Sequence, residues 1–283
     1  MKRKINLSVL LGLIIIITFF ILNSPFAELY HQGFLVTMAI LTLMWAFTLY
    51  IKDSSIIDIY WGFGYVLLSA YYLYALGEEY HTTRNFVFAG LVSIWGMRLT
   101  IYLGIRNIGK GEDYRYVEMR NEAGKNWWWV SYLRVFLLQG VLLWCISSVF
   151  VPALMVTGGF AITDFIGIAF WALGFYFEAV GDSQLKQFKK NPANKGKVMN
   201  QGLWRYTRHP NYFGDSMIWV GFYCFALAYH NGFLWFLCPL LMTFLLVRIS
   251  GAAMLENGLT KTKPKYAEYI RRTSGFIPMP PKD

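Results

Sequence analysis

The chain has 283 residues, 56% of them hydrophobic, 19% aromatic and 15% charged, with a formal net charge of +10. That much apolar surface cannot be hidden in a water-soluble core, so the composition excludes a soluble globular enzyme and points to a membrane protein. The positive charge is no sign of nucleic-acid binding: the basic residues follow membrane topology, no DNA-reading motif organises them, and attraction to anionic lipid head groups accounts for the surplus.

Apolar stretches near the length that crosses about 30 Å of hydrocarbon fall at 5–22, 33–51, 57–76, 86–105, 131–155, 160–180, 213–230 and 232–250. Backbone polar groups must be paired inside lipid, so each stretch is predicted to be helical. The expected architecture is an all-α, polytopic integral membrane bundle of seven to eight transmembrane helices with cytosolic cofactor-binding loops. The count depends on whether the last pair, split at His230, Asn231 and Gly232, crosses twice or forms a short hairpin. The first segment also reads as a secretory signal with cleavage after Ala27. Otherwise the stretch from Glu28 to Gly33 is expected to be a short outer loop.

Lysine and arginine favour cytoplasmic loops. Eight spans with both ends inside place Lys2, Arg3, Lys4, Lys52, the 106–125 and 186–208 loops and the 261–282 tail in the cytosol, leaving Arg84 outside. Cys145, Cys224 and Cys238 lie scattered in apolar spans and read as packing residues. His31, His81 and His230 fall in outer loops, away from His209, so no metal site is expected. Trp127, Trp128 and Trp129 read as interfacial anchors before the fifth span.

Two cytosolic loops carry most of the polar chemistry. The first, RNIGKGEDYRYVEMRNEAGK, groups Asn107, Asp113, Arg115 and Tyr116 as candidate cofactor-binding residues among glycines that permit close backbone approach, the alternative being an ordinary positive-inside loop. The second follows Glu178 and Asp182, which are spaced i, i+4 and so share a helix face. Ionisable groups in a span face a cavity or a partner; the alternatives are hydrogen bonds to a ligand or a structural pairing with Arg98 or Arg134. Lys186, Lys189, Lys190, Lys195 and Lys197 then offer point charges for phosphate, while Arg205 and Arg208 offer planar forks. No GxGxxG or GxxxxGK[ST] motif occurs, so a nucleotide cofactor is not expected on a Rossmann or P-loop device.

The segments GLWRYTRHPNYFGD and RNIGKGEDYRY, with WGMR ahead of the latter, resemble the bacterial membrane branch of the steroid 5α-reductase family, over about 90–120 and 174–276 and more weakly at 55–65. Isoprenylcysteine carboxyl methyltransferases and phospholipid methyltransferases share the RHPNY-type element, and the GKGEDYRY loop tips the balance towards a reductase. The resemblance implies NADPH in a membrane-embedded pocket open to the cytosol, reducing the Δ4 bond of a 3-oxo steroid or similar hydrophobic enone. It also implies N-terminal helices, 1–85, lining the substrate pocket and a C-terminal domain, 86–283, holding the cofactor. The setting expected is a multi-pass protein of a bacterial inner membrane, monomeric, among membrane lipids and with its C-terminus cytosolic.

Carried across by position, the resemblance assigns the cofactor to Arg98, Glu178, Asp182, Lys189, Lys197, Arg248 and Glu256. From the GLWRYTRHPNYFGD element it adds Leu203, Trp204, Tyr206, Arg208, His209, Asn211, Tyr212 and Asp215. Lys189 and Arg208 are expected to favour NADPH over NADH. The family's catalytic Glu falls at Asp58 and its Tyr at Trp95, whose indole donates a hydrogen bond but releases no useful proton. Asp58, Trp61 and Tyr65 share one helical face, which adds Tyr65 to the catalytic candidates. Asp58 serves as an acid only if it stays protonated; a salt bridge to Arg98 is the structural alternative. An S-adenosylmethionine-dependent lipid or isoprenylcysteine methyltransferase is the second reading. A transporter comes last, because the intramembrane charges cluster towards the inner half.

Overall fold

The computed structural model describes residues 2–249 and 251–282. In chain order the longer helices are α1 (Lys2–Leu22), α2 (Ala27–Ile51), α3 (Ile56–Leu76), α4 (Thr83–Asn107) and α5 (Tyr114–Ala123). They are followed by α6 (Trp127–Ser131), α7 (Leu138–Ser147), α8 (Phe150–Leu154), α9 (Ile162–Lys190) and α10 (Pro210–Ala226). The chain closes with α11 (Leu237–Phe244), α12 (Ala252–Thr262) and α13 (Tyr266–Arg272). Six helical segments among the described residues are long and apolar enough to cross a membrane, and Asn6–Leu22 is a shorter apolar helix. The protein is a polytopic helical membrane protein.

Local chemistry explains the boundaries and corrects several expected ones. Glu28 to Gly33 is not a loop: α2 starts at Ala27, after a break at Asn23 to Phe26. The 106–125 segment is not all loop either, because the Asp113 carboxylate accepts from the Arg115 amide at 3.0 Å and so caps α5, which Gly124 ends at φ +54. Likewise α9 continues through Lys186, Lys189 and Lys190, good helix formers with no breaker before Asn191-Pro192. Pro210 sits at the first position of α10, where its missing N–H costs nothing.

The chain divides into two compact units, one of Met1–Leu13, Ala161–Ala228 and Phe236–Asp283, the other of Ile14–Phe160 and Tyr229–Trp235. This division differs from the expected 1–85 and 86–283. The reason is visible in the second unit, where α3 and α4 pack so closely that a Cβ on Gly62 would lie 2.2 Å from the Gly96 carbonyl oxygen. Its aromatic core gathers Tyr65, Trp95, Phe88 and Phe150, all fully buried. Arg84 and Asn85, at the head of α4, are also buried. Arg84 donates to the Ala153 carbonyl at 2.5 Å and Asn85 to that of Leu154 at 2.7 Å, so they satisfy carbonyls left over at the end of α8.

In the first unit, α9 and α10 run antiparallel along a glycine seam. Gly167 faces Gly221, Gly174 faces Gly214, and Gly181 faces Pro210 and Asn211. A Cβ on Gly174 would meet the Gly214 oxygen at 2.4 Å. The seam thus brings the two backbones together where Glu178, Asp182, Asn211 and Asp215 are carried.

Candidate functional site

In the second unit, polar side chains from α3, α5 and α7 form a network around Asp58, in the first turn of α3. One carboxylate oxygen accepts from Arg115 Nη2 at 2.6 Å and the other from the Tyr116 hydroxyl at 2.6 Å. Tyr116 OH in turn accepts from Gln139 Nε2 at 3.2 Å, and Gln139 Oε1 accepts from the Trp61 indole at 2.6 Å. Arg115 is shared with Asp113 at 2.9 Å and lies 5.4 Å from the centre of the Tyr116 ring. Partial burial pushes the Asp113 carboxyl up, but the hydrogen bonds and charge of Arg115 outweigh it and hold the group below the usual range.

A second pair braces this arrangement. Arg120 grips Glu112 at 2.8 and 2.9 Å, Glu112 accepts from the Ser54 amide at 2.8 Å, and Arg120 donates to the Lys52 carbonyl at 3.2 Å. The start of α3 and the start of α5 are therefore tied together at two points, and Tyr116 is held buried between Asp58 and Gln139.

This geometry revises the catalytic expectations. Asp58 pairs with Arg115 where Arg98 was expected, and each of its carboxylate oxygens has a donor, Arg115 on one and Tyr116 on the other. Tyr65 and Trp95 are both fully buried, their rings tilted against each other with centres 5.7 Å apart. Trp127, expected as an anchor, is buried with Arg120 5.2 Å from its ring, while Trp128 and Trp129 remain exposed. Gln139 carried no signal of its own, being one amide in an apolar span.

In the first unit, Glu178 and Asp182 are both buried on α9, and Asp182 accepts from Asn211 Nδ2 at 3.1 Å. Of the two arginines expected as structural partners for this pair, Arg98 and Arg134, the latter sits 3.9 Å from Glu122. Asn211 Oδ1 is buried and has no hydrogen-bond partner among the described residues, an acceptor oriented for a donor. Asp215 is buried one turn further along α10.

The RHPNY element holds the C-terminal segment. Arg208 grips Glu256 at 2.7 and 3.3 Å and donates to the carbonyls of Ile270 and Thr273 at 3.1 and 2.6 Å. His209 meets the same carboxylate at 3.0 Å and stacks on Tyr212, with ring centres 5.3 Å apart. Burial raises the Glu256 carboxyl, yet the hydrogen bonds from His209 and Arg208 prevail and lower it to about 2. The Arg208 fork expected to meet phosphate therefore serves Glu256 and two backbone carbonyls. Around it, Trp204 donates to the Gly181 carbonyl at 3.0 Å, the Leu203 amide to Gln184 at 3.0 Å, and Met279 N to the Tyr206 carbonyl at 2.9 Å.

Beside these residues opens a cleft of about 1110 Å³, lined by the 195–205 loop, Pro264 to Thr273 and Pro281. Lys197 is on its wall, as are Lys195, Arg205, Lys265 and Arg272. Of the other expected cofactor residues, Arg248 is exposed at the end of the α11 segment, Arg98 lies 5.7 Å from the Tyr102 ring, and Asn107 accepts from Arg106 at 3.0 Å. Lys189 is exposed on the last turn of α9.

A family model described as "Protein of unknown function (DUF1295)" matches residues 44–273. An uncharacterized protein of Schizosaccharomyces pombe is 25% identical over 288 aligned positions, covering 89% of this chain and 82% of the relative. A protein named probable O-methyltransferase ustE, from Ustilaginoidea virens, is 48% identical over 46 residues, 16% of each chain. No solved structure gives a significant match.

Proposed function

We propose, because the chain belongs to the DUF1295 family, within the superfamily of steroid 5α-reductases and isoprenylcysteine methyltransferases, that it is a membrane-embedded, NADPH-dependent reductase of a hydrophobic enone such as a 3-oxo-Δ4 steroid. The observation that carries this reading is the Tyr116 phenol buried between Asp58 and Gln139, where the charged α5 meets the apolar helices α3 and α7. Asp58 is an ionisable residue of an apolar span, and such residues are functional-site candidates by default. Reducing an enone puts negative charge on a carbonyl oxygen and calls for a hydrogen-bond or proton donor. Transfer of a methyl group to a carboxylate needs no such acid.

Among the groups bonded to Asp58, only Tyr116 has a proton to release, since a guanidinium keeps its own. A carbonyl oxygen reaching Tyr116 competes with Asp58 for that proton, and Arg115, at 2.6 Å from Asp58, weakens the carboxylate's hold on it. Gln139 donates to the phenol oxygen and so stabilises the charge that appears there. The residues of the first unit fit a phosphorylated dinucleotide: the free Asn211 acceptor suits a ribose hydroxyl or an amide N–H, and the cationic cleft suits phosphate. A reduced nicotinamide, when bound, supplies hydride. We place the cofactor loops and the C-terminus on the cytosolic side, from the distribution of lysine and arginine.

Tyr116→Phe should lower kcat for enone reduction by about 10²-fold or more, the usual worth of a general acid, while leaving NADPH affinity within about twofold of wild type. Full activity in that variant would overturn the assignment of the acid. A second reading, an S-adenosylmethionine-dependent lipid or isoprenylcysteine methyltransferase, draws on the 46-residue similarity to the protein named as a probable O-methyltransferase. The sulfonium cofactor carries no phosphate, which leaves the cationic cleft without a role.

A further inference from the structure

We infer that the cleft beside α13 is a phosphate-monoester site, with Arg205 and Arg272 as the residues that select the phosphate; this deepens the dinucleotide reading and rests on it. Among the described residues, five cationic side chains, Lys195, Lys197, Arg205, Lys265 and Arg272, line one cavity of about 1110 Å³ with one carboxylate, that of Glu268. Glu268 is 3.7 Å from Arg272, an exposed and loose pairing that leaves most of the positive charge uncompensated. Like charges gathered in one concavity repel, and a dianion relieves that repulsion while drawing on planar guanidinium forks and mobile ammonium groups together.

The cleft has built walls. On the α13 side the Tyr269 hydroxyl is bonded to the Trp204 carbonyl, and Arg208 holds the carbonyls of Ile270 and Thr273. On the other side Gly202, at φ +57, turns the chain against Gln184, which accepts from the Leu203 amide at 3.0 Å. Arg208 itself is committed to Glu256, so the preference for a phosphorylated ligand falls to the side chains that line the cavity.

The same phosphate chemistry occurs on the 2′-phosphate of NADPH and on the head group of phosphatidate. The test titrates detergent-purified full-length protein with NADPH, NADH and adenosine 2′,5′-bisphosphate, and separately reconstitutes it in nanodiscs with or without phosphatidate. Wild type is compared with the Arg205→Ala/Arg272→Ala double variant, and with Lys195→Ala/Lys265→Ala as an independent pair. The site predicts a loss of about tenfold or more for NADPH and the bisphosphate in each pair, with NADH changed by less than about threefold. Equal losses for NADPH and NADH, or wild-type affinity in both pairs, would overturn the site. Failure of wild type to bind NADPH would sink the reductase reading alone. Phosphatidate binding that depends on the same arginines would then uphold the cleft, with a lipid as its ligand.

Discussion

Glu256 lies between Arg208 and His209, and the sign of its shift decides how the C-terminal segment responds to acid. Its carboxyl falls from an ordinary 4.5 to about 2 because those partners favour the charged form. A depressed pKa adds stability that is fully present above the unfolded value and is lost as pH falls through the folded one. Thermal stability should therefore decline as pH falls from about 4.5 towards 2 partly through this group. Glu256→Gln should cost about 2 kcal/mol near neutral pH, since it leaves the part-buried Arg208 without its carboxylate, and should flatten the acid limb of the profile. A variant as stable as wild type at neutral pH would show that Arg208 holds the tail without it. The sequence placed Glu256 and Arg208 in one candidate set, but it did not reveal that they face each other, because 48 positions separate them and only the folded chain brings α12 back to the RHPNY element.

At the scale of helices, the α9 and α10 pair is set by glycines at seven-residue spacing, 167, 174 and 181 on one helix and 214 and 221 on the other. Small residues let backbones approach closely in lipid. Gly174→Ala should destabilise the protein by about 1–3 kcal/mol, because its Cβ has no room and the helices must part. Gly90→Ala, in α4 with nothing near its Cβ, should instead be neutral or stabilise by about 0.5–1 kcal/mol. Thermal unfolding of the two variants in one detergent separates these outcomes, and equal behaviour would remove the seam as the determinant of the pair. Hydropathy located only the spans; the seven-residue glycine spacing took on meaning once the two helices were seen face to face. Hydropathy found the apolar helices well because lipid imposes a simple rule on them. It passed over α5, a charged helix whose mean character reads as loop and whose start depends on the Asp113 cap and on pairs with Asp58 and Lys52 some 60 positions away.

For the whole molecule, the composition already dictated a polytopic helical membrane protein. The candidate residues divided into two sets: Asp58, Asp113, Arg115 and Tyr116 in one compact unit, and Asp182, Arg208, Asn211 and Glu256 in the other. Pairwise placement was hidden from the sequence for a physical reason. A buried carboxylate takes whichever donors the packing offers, so Asp58 met Arg115 and Tyr116 in place of Arg98. The cationic tail had a bland explanation in lipid attraction until its residues were seen to line a cavity. The central claim is transfer of hydride from a phosphorylated dinucleotide to a greasy enone. Purified protein should be incubated with NADPH deuterated at the nicotinamide C4 position and a 3-oxo-Δ4 steroid, with a parallel incubation of S-adenosylmethionine and a prenylcysteine. Deuterium at the β-carbon of a saturated ketone, lost in Tyr116→Phe, is the predicted result; methyl transfer without any deuterated product would contradict it.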